Sequence, residues 1–156
     1  FKGEKRSLFD FSLEFARKNP SIFFIWRLHP KTNFKDLHLI NPEYKNLPDN
    51  ITLSNNSLDS DLKKTSFILY RGSTVVVNAM SCGIIPIYLK KNMNELTIDP
   101  IYDQMKGKSV ITSQSEFYDA IYKSYSLNEI NSLKKYGQLF YTPIDLSTLK
   151  EIIVHN

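Results

Sequence analysis

Residues 67–89 read FILYRGSTVVVNAMSCGIIPIYL, and the fold turns on whether their centre is helix or strand. Phe67–Tyr70 and Ile84–Leu89 are short apolar runs rich in aromatic and branched side chains, the pattern of strands buried on both faces. Between them, Val75-Val76-Val77 favours a third strand by local propensity, because branched side chains lose rotamer freedom in a helix. Against this, Ser73 or Thr74 is a good N-cap, and Gly83 a good residue just past a helix C-terminus. The balance predicts strand, turn, buried helix, strand. Pro86 lacks a ladder donor and so belongs near the start of the second strand.

Working outward, Phe1–Lys18 carries Leu8, Phe11 and Phe15 at helical spacing and is closed by Asn19-Pro20. Ser21–Leu28 (SIFFIWRL) predicts a strand buried on both faces and stopped by His29-Pro30. Residues 31–50 are polar, with Pro42 and Pro48, and read as loop with one helical turn. Ile51–Ser54 is a brief strand, and Asp59–Ser66 a short helix with acid in its first turn. Ser109–Thr112 follows as a fifth strand. Ser113 and Glu116 then form a capping-box pattern before a helix that presents Phe117, Ala120 and Ile121 on one face. Leu127–Tyr141 and Asp145–His155 are two more helices, separated by Thr142-Pro143. Strands alternating with helices predict a Rossmann-like α/β domain: a parallel sheet flanked by helices, with right-handed crossovers. A ligand would sit at the carboxyl ends of its strands.

Composition narrows the class. The 156 residues suit a single domain, and 42% apolar with 23% charged residues is ordinary for a globular one. No apolar run approaches the roughly 20 residues needed to span a bilayer, and no secretory signal pattern opens the chain. The lone Cys82 excludes an internal disulfide framework and favours a reducing cytoplasm. Net charge is +4, mostly from Lys scattered in pairs such as Lys63-Lys64, Lys90-Lys91 and Lys134-Lys135, the pattern of a solvated surface. Nucleic acid is not an expected partner, because a dense basic face is missing. The charge is also compatible with anionic ligands or the inner face of a membrane. A chain that opens on Phe1 without an initiator Met reads as a fragment.

His29 and Ser73-Thr74 each follow a strand, so the expected sheet would place them on one edge. Gly72 would let backbone approach a ligand closely, and the next helix would add N–H groups and two hydroxyls, a combination suited to phosphate. Arg71 and His29 would contribute charge-assisted hydrogen bonds. Alone, Gly-Ser-Thr is a turn with a cap and His-Pro a structural stop; together, at matched positions, they point to a site. Glu95, in the polar KKNMNEL loop, could reach a sugar or ribose hydroxyl or simply be an exposed acid. Neither GxxxxGK[ST] nor GxGxxG occurs, and no His, Cys or carboxylate spacing suits a metal. His38, in the loop, and His155, near the end, complete no triad; Trp26 and Tyr88 are assigned to the core.

The order WRLHP, LPDNITLSNN, DLKKTSFILYRGSTVVVNAMSCGIIPIYL resembles the C-terminal domain of GT-B glycosyltransferases over residues 20–95. It is most similar in style to bacterial surface-polysaccharide enzymes with a His-Pro motif and a later Ser-Ser or Ser-Thr motif: sialyl-, polysialyl- and Kdo-transferases and CDP-glycerol glycerophosphotransferases. The resemblance implies that residues 1–156 are one donor-binding domain, the C-terminal half of a GT-B fold, without its N-terminal acceptor domain. It implies that His29 and Ser73-Thr74 hold the donor phosphate and stabilise the departing nucleotide, where Arg71 and Gly72, as read above from the residues, would join them at the same phosphate. Asn78 and Glu95 would contact the donor ribose or sugar. The substrate would be a nucleotide-sugar, with CMP- and CDP-linked donors among the candidates, and neither cofactor nor metal is implied. The acceptor, a glycan or lipid-linked glycan, and the general base would belong to the other domain, at the inner face of the membrane. Asn78 stands where many such enzymes carry Glu, and Tyr70 where retaining enzymes carry the first of paired glutamates, which favours inversion. Two further readings are a UDP-sugar 2-epimerase, although VVVNAM lacks its consecutive acids, and a non-catalytic binding module of the same fold.

Overall fold

The structure, a computed structural model, describes residues 2–29, 32–92, 94–96, 98–104 and 106–141, with the side chains of residues 2–6 and 40 excepted. The expected helix Asp145–His155 lies outside the described residues. Among the described residues six α-helices and five strands follow one another, in alternation as far as β4: α1 Lys2–Lys18, β1 Phe24–Trp26, α2 Phe34–Ile40, β2 Ile51–Leu53, α3 Leu58–Leu62, β3 Phe67–Tyr70, α4 Val75–Ser81, β4 Ile85–Leu89, β5 Ser109–Ile111, α5 Gln114–Tyr122 and α6 Leu127–Leu139. A 3-10 turn, Pro42–Lys45, follows α2.

All strand pairs are parallel, as the alternation predicted, but the ladders form two sheets rather than one. β1 pairs with β2, Phe24 opposite Ile51. β3, β4 and β5 form the second sheet, with Phe67 opposite Ile85 and Ile87 opposite Ser109. Side chains join them: Phe15 of α1 and Phe24 of β1 pack with Ile87, Leu89, Ile111 and Phe117. This mixed α/β arrangement of small parallel sheets flanked by helices is compatible with a Rossmann-like fold. No described helix is long and apolar enough to cross a membrane.

β1 is shorter than Ser21–Leu28 and is not buried on both faces: Phe23 is 76% exposed and Ile25 37%. A two-stranded sheet has α1 over one face, so alternate residues of this apolar run, Ile22, Phe24, Trp26 and Leu28, pack inward and only Trp26 is fully buried. β4 is the strand buried throughout. α1 serves both sheets with adjacent stripes. Leu8, Phe11 and Phe15 face the larger sheet's cluster, while Phe9, Leu13 and Ala16 pack on Trp26, Leu37, Tyr44 and Ile51. The sequence pattern exposed only the first stripe. The C-terminal carbonyls of α1 are covered by Asn50, whose amide donates to Ala16 O and Asn19 O. Residues 32–50 hold more regular structure than expected, α2 and the 3-10 turn, and His38 sits in the last turn of α2 rather than in a loop.

The central valines are helical. α4 ends in Cys82 and Gly83, the latter at φ 83, with Gly83 N–H donating to Met80 O (2.8 Å) and Ile84 N–H to Ala79 O (3.0 Å). These two bonds are a Schellman closure, which needs a left-handed residue at that position. The helix is buried at Val76, Val77, Ala79 and Met80, so packing overrides the strand propensity of its valines. The capping box of α5 forms as read, and α6 opens with a second one from Ser126 and Glu129.

α4 and α6 touch at Gly137, where an added Cβ would fall 2.6 Å from Ser81 N and 2.9 Å from Val77 O. Gly137→Ala therefore forces the helices apart. Despite alanine's better helix propensity, it should lower stability by about 1–3 kcal/mol in urea denaturation. An unchanged midpoint would mean that these helices do not meet here.

Candidate functional site

β3 delivers its carboxyl end to Arg71, whose side chain turns inward. The Arg71 side chain is 2% exposed, and its bonds include Nη1 to Leu89 O (2.9 Å), Nη1 to Glu95 Oε2 (3.1 Å) and Nη2 to Glu95 Oε1 (2.6 Å). Glu95 Oε2 also accepts from the Lys91 backbone N–H at 2.8 Å. These donors stabilise the ionised carboxylate. Led by the Arg71 hydrogen bonds, they pull the Glu95 pKa down to about 2. Two of the residues assigned to the donor are thus engaged with each other. Arg71 is directed to a carboxylate of the chain itself, and Glu95 to Arg71.

Gly72 follows at φ 57, a left-handed conformation that a side chain disfavours. Its open side faces the chain itself: a Cβ would lie 3.1 Å from Ile98 Cδ1 and 3.4 Å from Ile98 O. The close approach read as room for a ligand is here made by Ile98. Ser73 is partly buried and Thr74 exposed. Their carbonyls accept from Val76 N–H and Val77 N–H, and the Thr74 hydroxyl, at the N-cap position, makes no capping bond. Asn78, one turn further along α4, accepts a hydrogen bond from the Tyr141 hydroxyl beyond α6.

His29 lies exposed three residues beyond β1, its carbonyl accepting from Thr32 N–H (2.8 Å). It and Ser73-Thr74 both follow carboxyl ends of parallel strands, but in separate sheets. The single sheet edge that joined them in the sequence reading is absent, because no ladder links β1 to β3 among the described residues.

Two polar clusters went unread in the sequence. At the carboxyl end of the β1–β2 sheet, Asp61 of α3 is 5% exposed and accepts from Arg27 Nη1 (2.6 Å), Ser54 Oγ (2.5 Å) and Asn56 Nδ2 (3.4 Å). Burial acts to raise its pKa, but the Ser54, Arg27 and Asn56 bonds together outweigh it and leave the carboxyl below its usual range. Beside β3, Asp99 accepts from Tyr70 Oη (2.8 Å) and Lys108 Nζ (2.9 Å), with both charged side chains only 2% exposed. Burial and the Asp99 charge push the Tyr70 hydroxyl pKa upward. The available signal was weak: a lone acid and a lone base near strand ends, with no spacing that links them. Among the described residues no group of three or more His, Cys, Asp and Glu could hold a metal. Two shallow, open depressions lie elsewhere, one between β5 and α5 at Val110 and Asp119, the other between α1 and the 3-10 turn at Arg17 and Glu43.

The Arg71–Glu95 pair predicts a specific acid response. A carboxylate whose pKa falls on folding, from 4.5 to about 2, stabilises the fold above its unfolded value. That contribution is lost as pH drops from 4.5 towards 2. Across this window the wild type should lose more stability than Glu95→Gln, measured by urea unfolding at each pH. Parallel curves would show that the pair carries no linkage. No protein-family model, no curated protein and no solved structure matches the chain.

Proposed function

We propose that the chain binds a nucleotide-sugar as the donor domain of an inverting GT-B glycosyltransferase, one that builds bacterial cell-surface polysaccharide or lipopolysaccharide. One observation carries the reading: the left-handed Gly72 turn at the carboxyl end of β3, which presents Ser73 and Thr74 with the Thr74 hydroxyl unused by the helix cap. Serine and threonine hydroxyls side by side at a strand end can both donate to a phosphate. In that role Ser73 and Thr74 would bind the donor diphosphate or monophosphate and stabilise the charge that develops on the leaving oxygen. His29 would add a donor from the neighbouring sheet. Asn78 would meet the ribose once its Tyr141 bond is exchanged. The general base and the acceptor belong to a separate domain, with the assembly at the cytoplasmic face of the membrane, and the chemistry needs no metal.

A second reading has an observation of its own. Arg71 is already neutralised by Glu95, and Asn78 replaces the usual Glu, which together describe a non-catalytic binding module.

An NMR titration with CMP, CDP, UDP and GDP separates the two. Donor binding should move the amide signals of Gly72–Val75 and the His29 ring, with one nucleotide preferred. Ser73→Ala combined with Thr74→Ala should weaken that binding by about 1–3 kcal/mol while the fold survives. Silence towards all four at millimolar concentration sinks the donor reading. Unchanged affinity in the double variant moves the pocket elsewhere.

A further inference from the structure

Resting on the donor reading of the Arg71–Thr74 turn, we infer that Arg71 and the Lys91 N–H form a phosphate site whose resident ligand is Glu95, and that the donor's phosphate enters by displacing this carboxylate. The site has the donors an oxyanion needs. Two guanidinium nitrogens and one backbone N–H converge on two oxygens at 2.6–3.1 Å. The same fork accepts a carboxylate or a phosphate, because both offer paired oxygens in a plane.

Three features make Glu95 the exchangeable partner. First, the Arg71 guanidinium has an anchor independent of Glu95, since Nη1 also donates to Leu89 O at the end of β4 (2.9 Å). The cation therefore keeps its position when the carboxylate leaves. Second, exposure is unequal: the Arg71 side chain is 2% exposed and that of Glu95 18%, so the acid is the member that solvent reaches. Third, Arg71 directly precedes the Gly72 turn, so an anion replacing Glu95 would come to the segment that carries Ser73 and Thr74. Leaving the buried guanidinium unpaired is costly, so Glu95 departs only when another anion takes over its bonds. A diphosphate, which carries two charges over adjacent groups, does so better than a monovalent ion. The contact thus excludes weak anions and makes the site selective.

Pyrophosphate is the probe, titrated into the wild-type chain, Glu95→Gln and Arg71→Met/Glu95→Gln at constant ionic strength, with calorimetry and thermal unfolding as readouts. Glu95→Gln should fold with a lower Tm than the wild type. It should bind pyrophosphate at least about tenfold more tightly and regain Tm as the ligand is added. The gain should vanish in the double variant. Equal affinity in wild type and Glu95→Gln overturns displacement, and so does a gain that survives without Arg71. If Glu95→Gln does not fold, Glu95→Asp keeps the charge while shortening its reach; an intermediate gain supports displacement and an unchanged affinity overturns it. Nucleotide titrations keep the two proposals apart. Nucleotide binding at Gly72–Val75 that Glu95→Gln leaves unchanged retains the donor reading and ends this one. Tighter pyrophosphate binding with no nucleotide response does the reverse.

Discussion

β4 is buried along its whole length, and much of the molecule is arranged to cover it. A central parallel strand has two faces and no solvent side, so each face needs its own layer. Ile87 and Leu89 look towards α1 and α5, meeting Phe15, Phe117 and Ala120. Tyr88 looks the other way, into the cluster of Val76, Val77 and Met80 of α4 with Leu133 of α6. Each such apolar side chain removed from water contributes on the order of 1.5–3 kcal/mol. That scale explains why three consecutive valines become helix: their helix penalty is a few tenths of a kcal/mol each, far below the value of covering Tyr88 and Ile85. It also explains Gly137, since the layer over α4 closes only if α6 approaches to backbone contact.

The same strand creates an electrostatic problem at its carboxyl end. The chain leaves β3 and β4 there, and polar backbone must be satisfied close to the core. Arg71 meets it on one side by donating to the last β4 carbonyl, Leu89 O, with Glu95 balancing its charge. Lys108 and Asp99 meet it on the other, where Lys108 also donates to Ile101 O (2.8 Å) and Asp99 receives Tyr70 and Ile101 N–H. Such pairs add little net stability over an apolar replacement, but breaking one partner costs about 3–5 kcal/mol. They fix the path of residues 91–108 over the sheet more than they strengthen the fold.

Much of the fold was legible because its signals are local. The apolar runs Phe67–Tyr70 and Ile84–Leu89, with the short Ser109–Thr112, gave β3, β4 and β5 close to their observed bounds, and Ser113 with Glu116 gave the start of α5. The division into two sheets was not legible, since register between distant strands leaves no mark on either. β1 shows the cost: SIFFIWRL has the composition of a doubly buried strand, yet neighbours decide burial, and only three residues pair. The second stripe of α1 was hidden for a related reason, because a helix that packs on two clusters has apolar residues too widely spread to read as one face.

The surroundings of the candidate site were legible in part, for a physical reason. The local chain path was: Ser73 and Thr74 stand at the end of β3 and α4 follows. The partners of the charged groups were not, because a sequence records that Arg71 is cationic but not whether its partner is a ligand or an acid 24 residues on. An Arg at a strand terminus is ambiguous between the two until the loop that follows β4 is in place. Once it is, the guanidinium is a fixed cation whose two terminal nitrogens are already oriented, one on Leu89 O and both on the Glu95 carboxylate. The displacement proposed above asks a nucleotide phosphate to take the place of that carboxylate and nothing else to move.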